Sequence, residues 1–263
     1  MNILLTNDDG IHAEGIWKLA EAMRGLGNIV IAAPDRDQSG IGTAKSLQNI
    51  VKAHEYRSLL DGVRAIMVEG TPADCVILAA ESLHTGGFDL VVSGINAGAN
   101  LGLDIMSSGT VGGALQGYFR NIPSIAVSVT SINDVKFDAA ASAAARLAEA
   151  VLQSKGRINL PLFLNMNVPN VDADRIMGSE ITTLGPRAYM ENVEPQQVGT
   201  RTHYRIHHNK PVGESAKEGS DIWAIRQSKV SITPLNGMLA NVEGEELTRE
   251  FAASVARAFT SNN

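Results

Sequence analysis

ILLTNDDG, residues 3–10, sets an apolar run directly against two adjacent carboxylates and a glycine. Ile3 to Thr6 have the length and composition of a buried strand, and Asn7-Asp8-Asp9-Gly10 is the turn that ends it. Ile16, Leu19, Ala20, Met23 and Leu26 then recur at helical spacing, and Gly25 and Gly27 close that helix. Asn28 to Ala33 forms the next apolar run, stopped by Pro34. Strand, helix, strand is the βαβ unit of a parallel sheet.

The pattern continues. Between about residues 45 and 69 it weakens into short strands, Ala65 to Val68 being the clearest. Thr71-Pro72-Ala73-Asp74 predicts a helix start, with Thr71 as N-cap, Pro72 in the first turn and Asp74 three residues after the cap. Phe88 to Ser93 is a strand entering a glycine-rich loop, Ser93 to Gly102. A helix from about Thr110 to Arg120, a strand Ile125 to Val129, an alanine-rich helix Phe137 to Ser154 and a strand Leu162 to Val168 follow. From about residue 185 to 228 polar residues, His203, His207, His208 and turn formers predict an extended hairpin or arm suited to oligomerisation. Lys229 to Thr233 is a late strand and Glu245 to Phe259 a closing amphipathic helix. The expected divisions are 1–184 as an α/β core, 185–228 as the arm and 229–263 as a C-terminal strand and helix.

Composition narrows the partners. The 263 residues are 44% hydrophobic, enough to bury a full core, and carry a formal net charge of -6 with no basic run, which removes the footprint of a duplex nucleic-acid binder. The single Cys75 excludes an internal disulfide framework and fits a reducing compartment. No window of about 18 apolar residues occurs, and the first strand starts at once. A cytoplasmic protein with no membrane partner is expected.

In an open parallel sheet ligands bind at the carboxyl ends of the strands. There the chain places Asn7 to Gly10, Ala33 to Gly40, Ser93 to Asn100 and, opening a helix, Ser107-Ser108-Gly109-Thr110. Adjacent carboxylates repel unless a cation joins them, and the Ser and Asn oxygens nearby, without His or Cys, select Mg²⁺ or Mn²⁺ over zinc. Alternatively Asp8 and Asp9 are a turn and a helix cap. Gly94 to Gly98 and Ser108-Gly109-Thr110 are anion cradles of the kind that hold phosphate; each alone also reads as turn and cap chemistry. A metal and two cradles in one crevice describe a phosphoester site. Neither GxxxxGK[ST] nor GxGxxG after the first strand is present, which leaves phosphomonoester hydrolysis rather than a P-loop or dinucleotide enzyme.

Taken together, ILLTNDDG (3–10), APDRDQSG (33–40), GTPADCV (70–76), VSGINAGANLG (92–102), SGTVGGA (108–114), LNMNVP (164–169) and VSITPL (230–235) resemble, in order, the SurE-type stationary-phase survival proteins. The resemblance implies a Rossmann-like α/β fold with a protruding hairpin and an exchangeable C-terminal segment, a dimer or tetramer, and metal-dependent 5'/3'-nucleotidase activity on nucleoside monophosphates, extending in some members to polyphosphate. It implies one divalent cation per subunit, Mg²⁺ or Mn²⁺, held by Asp8, Asp9, Ser39 and Asn96, with Asp8, Asp9 and Asn96 as the catalytic set. Phosphate would fall to Gly40, Asn96, Ser108, Gly109 and Thr110. The chain departs from the pattern at Ser107, where Tyr is frequent, at Ser220, where Thr commonly precedes Asp221, and at Met238, where Asp is frequent.

Other residues have plainer readings. Asn7 orients the acids or bonds the local backbone. Asp35, Arg36 and Asp37 form a charged loop that positions Ser39, with Arg36 available to steer an anion. His12 reads equally as a surface residue and a proton carrier, His207 and His208 as solvated arm residues, and Cys75 and Trp17 as core. Trp223 is a candidate for stacking on a base. Competing readings are a nucleotide or metal sensor without catalysis and a sugar-nucleotide transferase.

Overall fold

The computed structural model describes residues 1–154, 162–187, 189–211 and 216–237. The expected helix over Glu245 to Phe259, Met238 and the exchangeable segment lie outside them. The chain opens with β1 (Asn2–Thr6), α1 (Glu14–Met23) and β2 (Asn28–Pro34). Then come β3 (Ala53–Tyr56), β4 (Arg64–Val68), α2 (Pro72–Leu78) and β5 (Leu90–Ala97). α3 (Gly109–Tyr118), β6 (Ser124–Val129), α4 (Phe137–Gln153), β7 (Phe163–Val168) and β8 (Ser179–Ile181) follow. The described chain ends with β9 (Tyr189–Val198), β10 (Arg201–Pro211), α5 (Asp221–Arg226) and β11 (Val230–Pro234).

Among the described residues nine strands form one sheet in the order β3-β4-β2-β1-β5-β6-β7-β11-β8, parallel from β4 through β7. β3 and β11 run against their neighbours β4 and β7, and β8 lies parallel to β11 on the far edge. The chain is therefore a mostly parallel, Rossmann-like α/β fold. Both faces are covered, which is why the strands are apolar throughout rather than alternating. Ile3, Leu5, Ile31 and Val92 meet Ile16, Leu19 and Met23 of α1 and Ala140, Ala144 and Ala148 of α4. On the opposite face Leu4, Val30 and Ala32 pack with Cys75 and Val76 of α2, and Ala126 and Phe163 with Val111 and Ala114 of α3.

The predicted start of α2 is observed: Thr71 accepts from the Asp74 N–H at 3.1 Å, and the Asp74 carboxylate accepts from the Thr71 N–H at 2.9 Å. Two elements have no counterpart in the sequence reading. β8 has three residues, too few for a period, and α5 has six, within a polar stretch. β9 and β10 form a separate antiparallel ribbon whose register runs from Arg201 opposite Val198 to Pro211 opposite Tyr189.

Candidate active site

The parallel register of β1 with β2 and β5 brings three strand ends together: Leu5 lies beside Ile31 and Thr6 beside Ser93. The loops that follow are stitched to one another. Gln38 N–H donates to the Asp8 carbonyl at 2.7 Å and Ile11 N–H to the Pro34 carbonyl at 2.8 Å. Gly10 sits at φ +92°, and a Cβ there would come within 3.1 Å of the Arg36 carbonyl, so this turn requires glycine. The Ala97 N–H at the end of β5 donates to Asp9 Oδ2 at 3.2 Å.

The fourth loop reaches the same point. Ser108 caps α3 by accepting from the Val111 N–H at 3.1 Å, and the Thr110 hydroxyl donates to Asp8 Oδ1 at 2.5 Å. Gly109 lets the helix start this close, since a Cβ on it would lie 2.8 Å from Asp8 Cβ. The helix N-terminus therefore faces a carboxylate, the charge its dipole favours.

Asp8 is 3% exposed, and burial raises its pKa; the hydrogen bond from Thr110 pulls the other way. Burial and then the Asp8 charge push Asp9 up to about 6, and Asp37 adds a further negative charge to both. Among the described residues no cationic side chain forms an ion pair with Asp8 or Asp9; Arg36 turns to Asp35 at 3.5 Å. A buried carboxyl, Asp8, and a half-buried one, Asp9, thus share a site with no ion-pair partner among the described residues. No group of three or more His, Cys, Asp or Glu side chains suited to a metal occurs among the described residues, so a cation here would need neutral oxygens. Those are at hand. Asn96 commits Nδ2 to the Gly98 carbonyl at 2.8 Å and keeps Oδ1 to accept, and Ser39 Oγ donates to Asp37 Oδ1 at 2.5 Å while its lone pairs remain. One or two carboxylates with neutral oxygens and waters fit Mg²⁺ or Mn²⁺.

These groups open into a cavity of about 630 Å³. Of the sequence-predicted residues, Asp8, Ser39, Gly40, Asn96 and Ser108 line it. Asp9 is set against the Ala97 N–H, and Gly109 and Thr110 lie buried behind Asp8, with the Thr110 hydroxyl turned to Asp8. The wall also includes Ala97 to Asn100, Asp104, Ser107, Thr130, Ser131, Ile132 and His207. Thr130 to Ile132 follow β6, so the strand-end rule carried one strand further would have found them. His207, expected to be a solvated arm residue, lines the cavity and pairs with Glu194 at 2.9 Å; no local pattern announces it.

The remaining readings resolve simply. Asn7 Nδ2 donates to the Gly10 carbonyl at 2.9 Å, a local backbone role. Trp17 is buried and donates to the Ile11 carbonyl at 2.7 Å, and Cys75 is buried, its thiol pKa raised well above the ordinary value by that burial. His12 contacts the Tyr56 hydroxyl at 3.2 Å. Lys229 lies 5.2 Å over the Trp223 ring.

The family model described as "Survival protein SurE" matches residues 3–191. A protein of Dehalococcoides mccartyi named 5'-nucleotidase SurE is 40% identical over 241 residues, 91% of this chain and 90% of that one. One of the same name from Geobacter sulfurreducens is 41% identical over 264 residues, 98% and 96% of the two chains. A crystal structure of a SurE protein from Aquifex aeolicus superposes with a TM-score of 0.81 at 37% identity, covering 96% of this chain and all of that one. With the family model over most of the chain and relatives at about 40% identity along nearly its whole length, the chain belongs to the SurE family.

Proposed function

We propose that the chain is a divalent-cation-dependent 5'-nucleotidase that hydrolyses nucleoside monophosphates to nucleoside and phosphate. The carrying observation is the pair of adjacent carboxyls, Asp8 buried and Asp9 half-buried, with no ion-pair partner among the described residues, at the junction of four loops. The names of the D. mccartyi and G. sulfurreducens relatives support the substrate class.

Asp8, Asp9, Ser39 and Asn96 would hold one Mg²⁺ or Mn²⁺. When bound, the cation supplies charge neutralisation at the phosphoryl oxygens and a lowered pKa for water. The chain's own part is placement. Thr110 holds one Asp8 oxygen and the Ala97 N–H one Asp9 oxygen, fixing how the carboxylates face the cavity. Ser108, whose oxygen already accepts from Val111, has its O–H left to donate to a phosphoryl oxygen, and the exposed Gly40 N–H is a second donor. Gly109 and Thr110 act from behind by placing the helix N-terminus and Asp8. Asn100, Ile132 and His207 offer the mixed polar and apolar wall that a nucleoside needs.

A dimer or tetramer, a cytoplasmic location and a secondary action on polyphosphate belong to the same proposal. Phosphate release from nucleoside monophosphates, sugar phosphates and polyphosphate, with Mn²⁺ and after EDTA, tests it. Turnover of the monophosphates that EDTA abolishes and Mn²⁺ restores is expected. Equal turnover in EDTA would sink the cation, and binding without phosphate release would leave a sensor.

A further inference from the structure

The cavity wall formed by Ala97 to Asn100 leaves the sheet where β5 ends, and past Gly98, whose N–H still reaches the Val129 carbonyl of β6, no ladder pairing continues among the described residues. Asn100 is nevertheless 91% buried, and buried peptide groups need partners. One side chain of β7 supplies both. Asn167 Oδ1 accepts from the Asn100 N–H at 2.9 Å, and Asn167 Nδ2 donates to the Asn100 carbonyl at 2.8 Å. A single carboxamide thus closes on both groups of one residue, as a neighbouring strand would. Asn165 Nδ2 adds a second donor to the same carbonyl at 2.9 Å, and the Asn100 side chain donates to Ser128 Oγ on β6 at 2.8 Å.

We propose that Asn165 and Asn167 are positioning residues of the active site, holding through Asn100 the loop that carries Asn96 and the partner of Asp9. This rests on the nucleotidase reading above. Neither asparagine lines the cavity, so neither touches substrate. Their effect passes along the loop: Gly98 N–H is tied to the Val129 carbonyl at 3.0 Å, the Gly98 carbonyl takes Asn96 Nδ2, and Ala97 N–H takes Asp9. Two asparagines in a buried six-residue strand run against strand preference, and both are fully buried. Asn165 Oδ1 has no hydrogen-bond partner. A partly satisfied polar pair is a poor way to stabilise a sheet and a good way to place a backbone.

The test compares Asn165→Ala and Asn167→Ala with Met166→Ala, the buried side chain between them that packs on the other face. Three quantities are read: thermal unfolding, amide exchange over residues 97–100 in metal-free protein, and kcat and KM for a nucleoside monophosphate with Mn²⁺. Exchange at the Asn100 amide is expected to rise at least about tenfold, and kcat to fall about 10- to 100-fold relative to Met166→Ala, the usual effect of losing a supporting contact at a metal site. Variants that fold, protect the Asn100 amide and keep the kcat of Met166→Ala would overturn the proposal. Recovery of both asparagine variants only as unfolded protein would also overturn it, by assigning the residues to folding. If exchange responds while the wild type releases no phosphate, the nucleotidase reading fails and the positioning role stands.

Discussion

Thr110 gives Asp8 a hydrogen bond that burial alone would deny it, at 2.5 Å and inside the protein. Thr110→Val keeps the shape and removes the donor, so kcat is expected to fall about 10- to 100-fold and Mn²⁺ to bind correspondingly more weakly, checked by steady-state rates and a Mn²⁺ titration. Asp9 carries a pH signature. Its folded pKa, about 6, lies above the unfolded value near 3.8. Below about pH 4 the group is neutral in both states; between pH 4 and 6 it ionises first in the unfolded chain, so folding stability is lost as pH rises through that window. Metal-free protein is therefore expected to melt lower at pH 7 than at pH 5 through this group, with Mn²⁺ restoring the loss at pH 7; a metal-free melting temperature that rises between those pH values would contradict this. That Asp8, Ser39 and Asn96 would meet at one crevice was legible in the sequence, because each stands at a strand end in a short polar motif. Ile132 needed the same rule carried on to the end of β6, whereas His207 was not legible, because it comes from a ribbon far along the chain with no local pattern to place it at the cavity.

At the level of elements, local rules worked where the signal was local. The capping box of α2 is an example, and Thr71→Ala is expected to cost about 1 kcal/mol, seen as a lower melting temperature. They failed where pairing overrode propensity. The glycines from Gly94 onward predict a turn after Ser93, yet β5 runs on to Ala97, because Asn96 and Ala97 pair with Ser128 and Val129 of β6 after a register shift. That extension carries Asn96 to the cavity. α3 makes the opposite point, since its position depends on the absence of a side chain. Gly109→Ala would drive a methyl into Asp8, and we expect near-complete loss of phosphate release with a stability cost of about 1–3 kcal/mol, read by activity and thermal melts side by side.

For the whole molecule, the parallel order was readable from the alternation of runs and periods, whereas the antiparallel return of β11 between β7 and β8 was not. The β9–β10 ribbon leaves Tyr204 and Ile206 about 70% exposed, and a two-stranded ribbon is marginal alone. If the proposed oligomer assembles through this ribbon, Tyr204→Glu with Ile206→Glu is expected to convert it to monomer by sedimentation velocity; an unchanged particle mass would remove the ribbon from that role. The place of β11 has a further consequence, for synthesis on the ribosome. The loops that build the cavity, apart from His207, are all translated by residue 132. Among the described residues β8, by contrast, pairs with β11 alone, and Thr182 waits for the Ser231 and Thr233 hydroxyls at 2.8 and 2.7 Å. At roughly 5–20 residues per second that edge stays open for several seconds after residue 181 emerges, so the nascent chain holds nearly all of its cavity-building loops well before β11 can join the sheet.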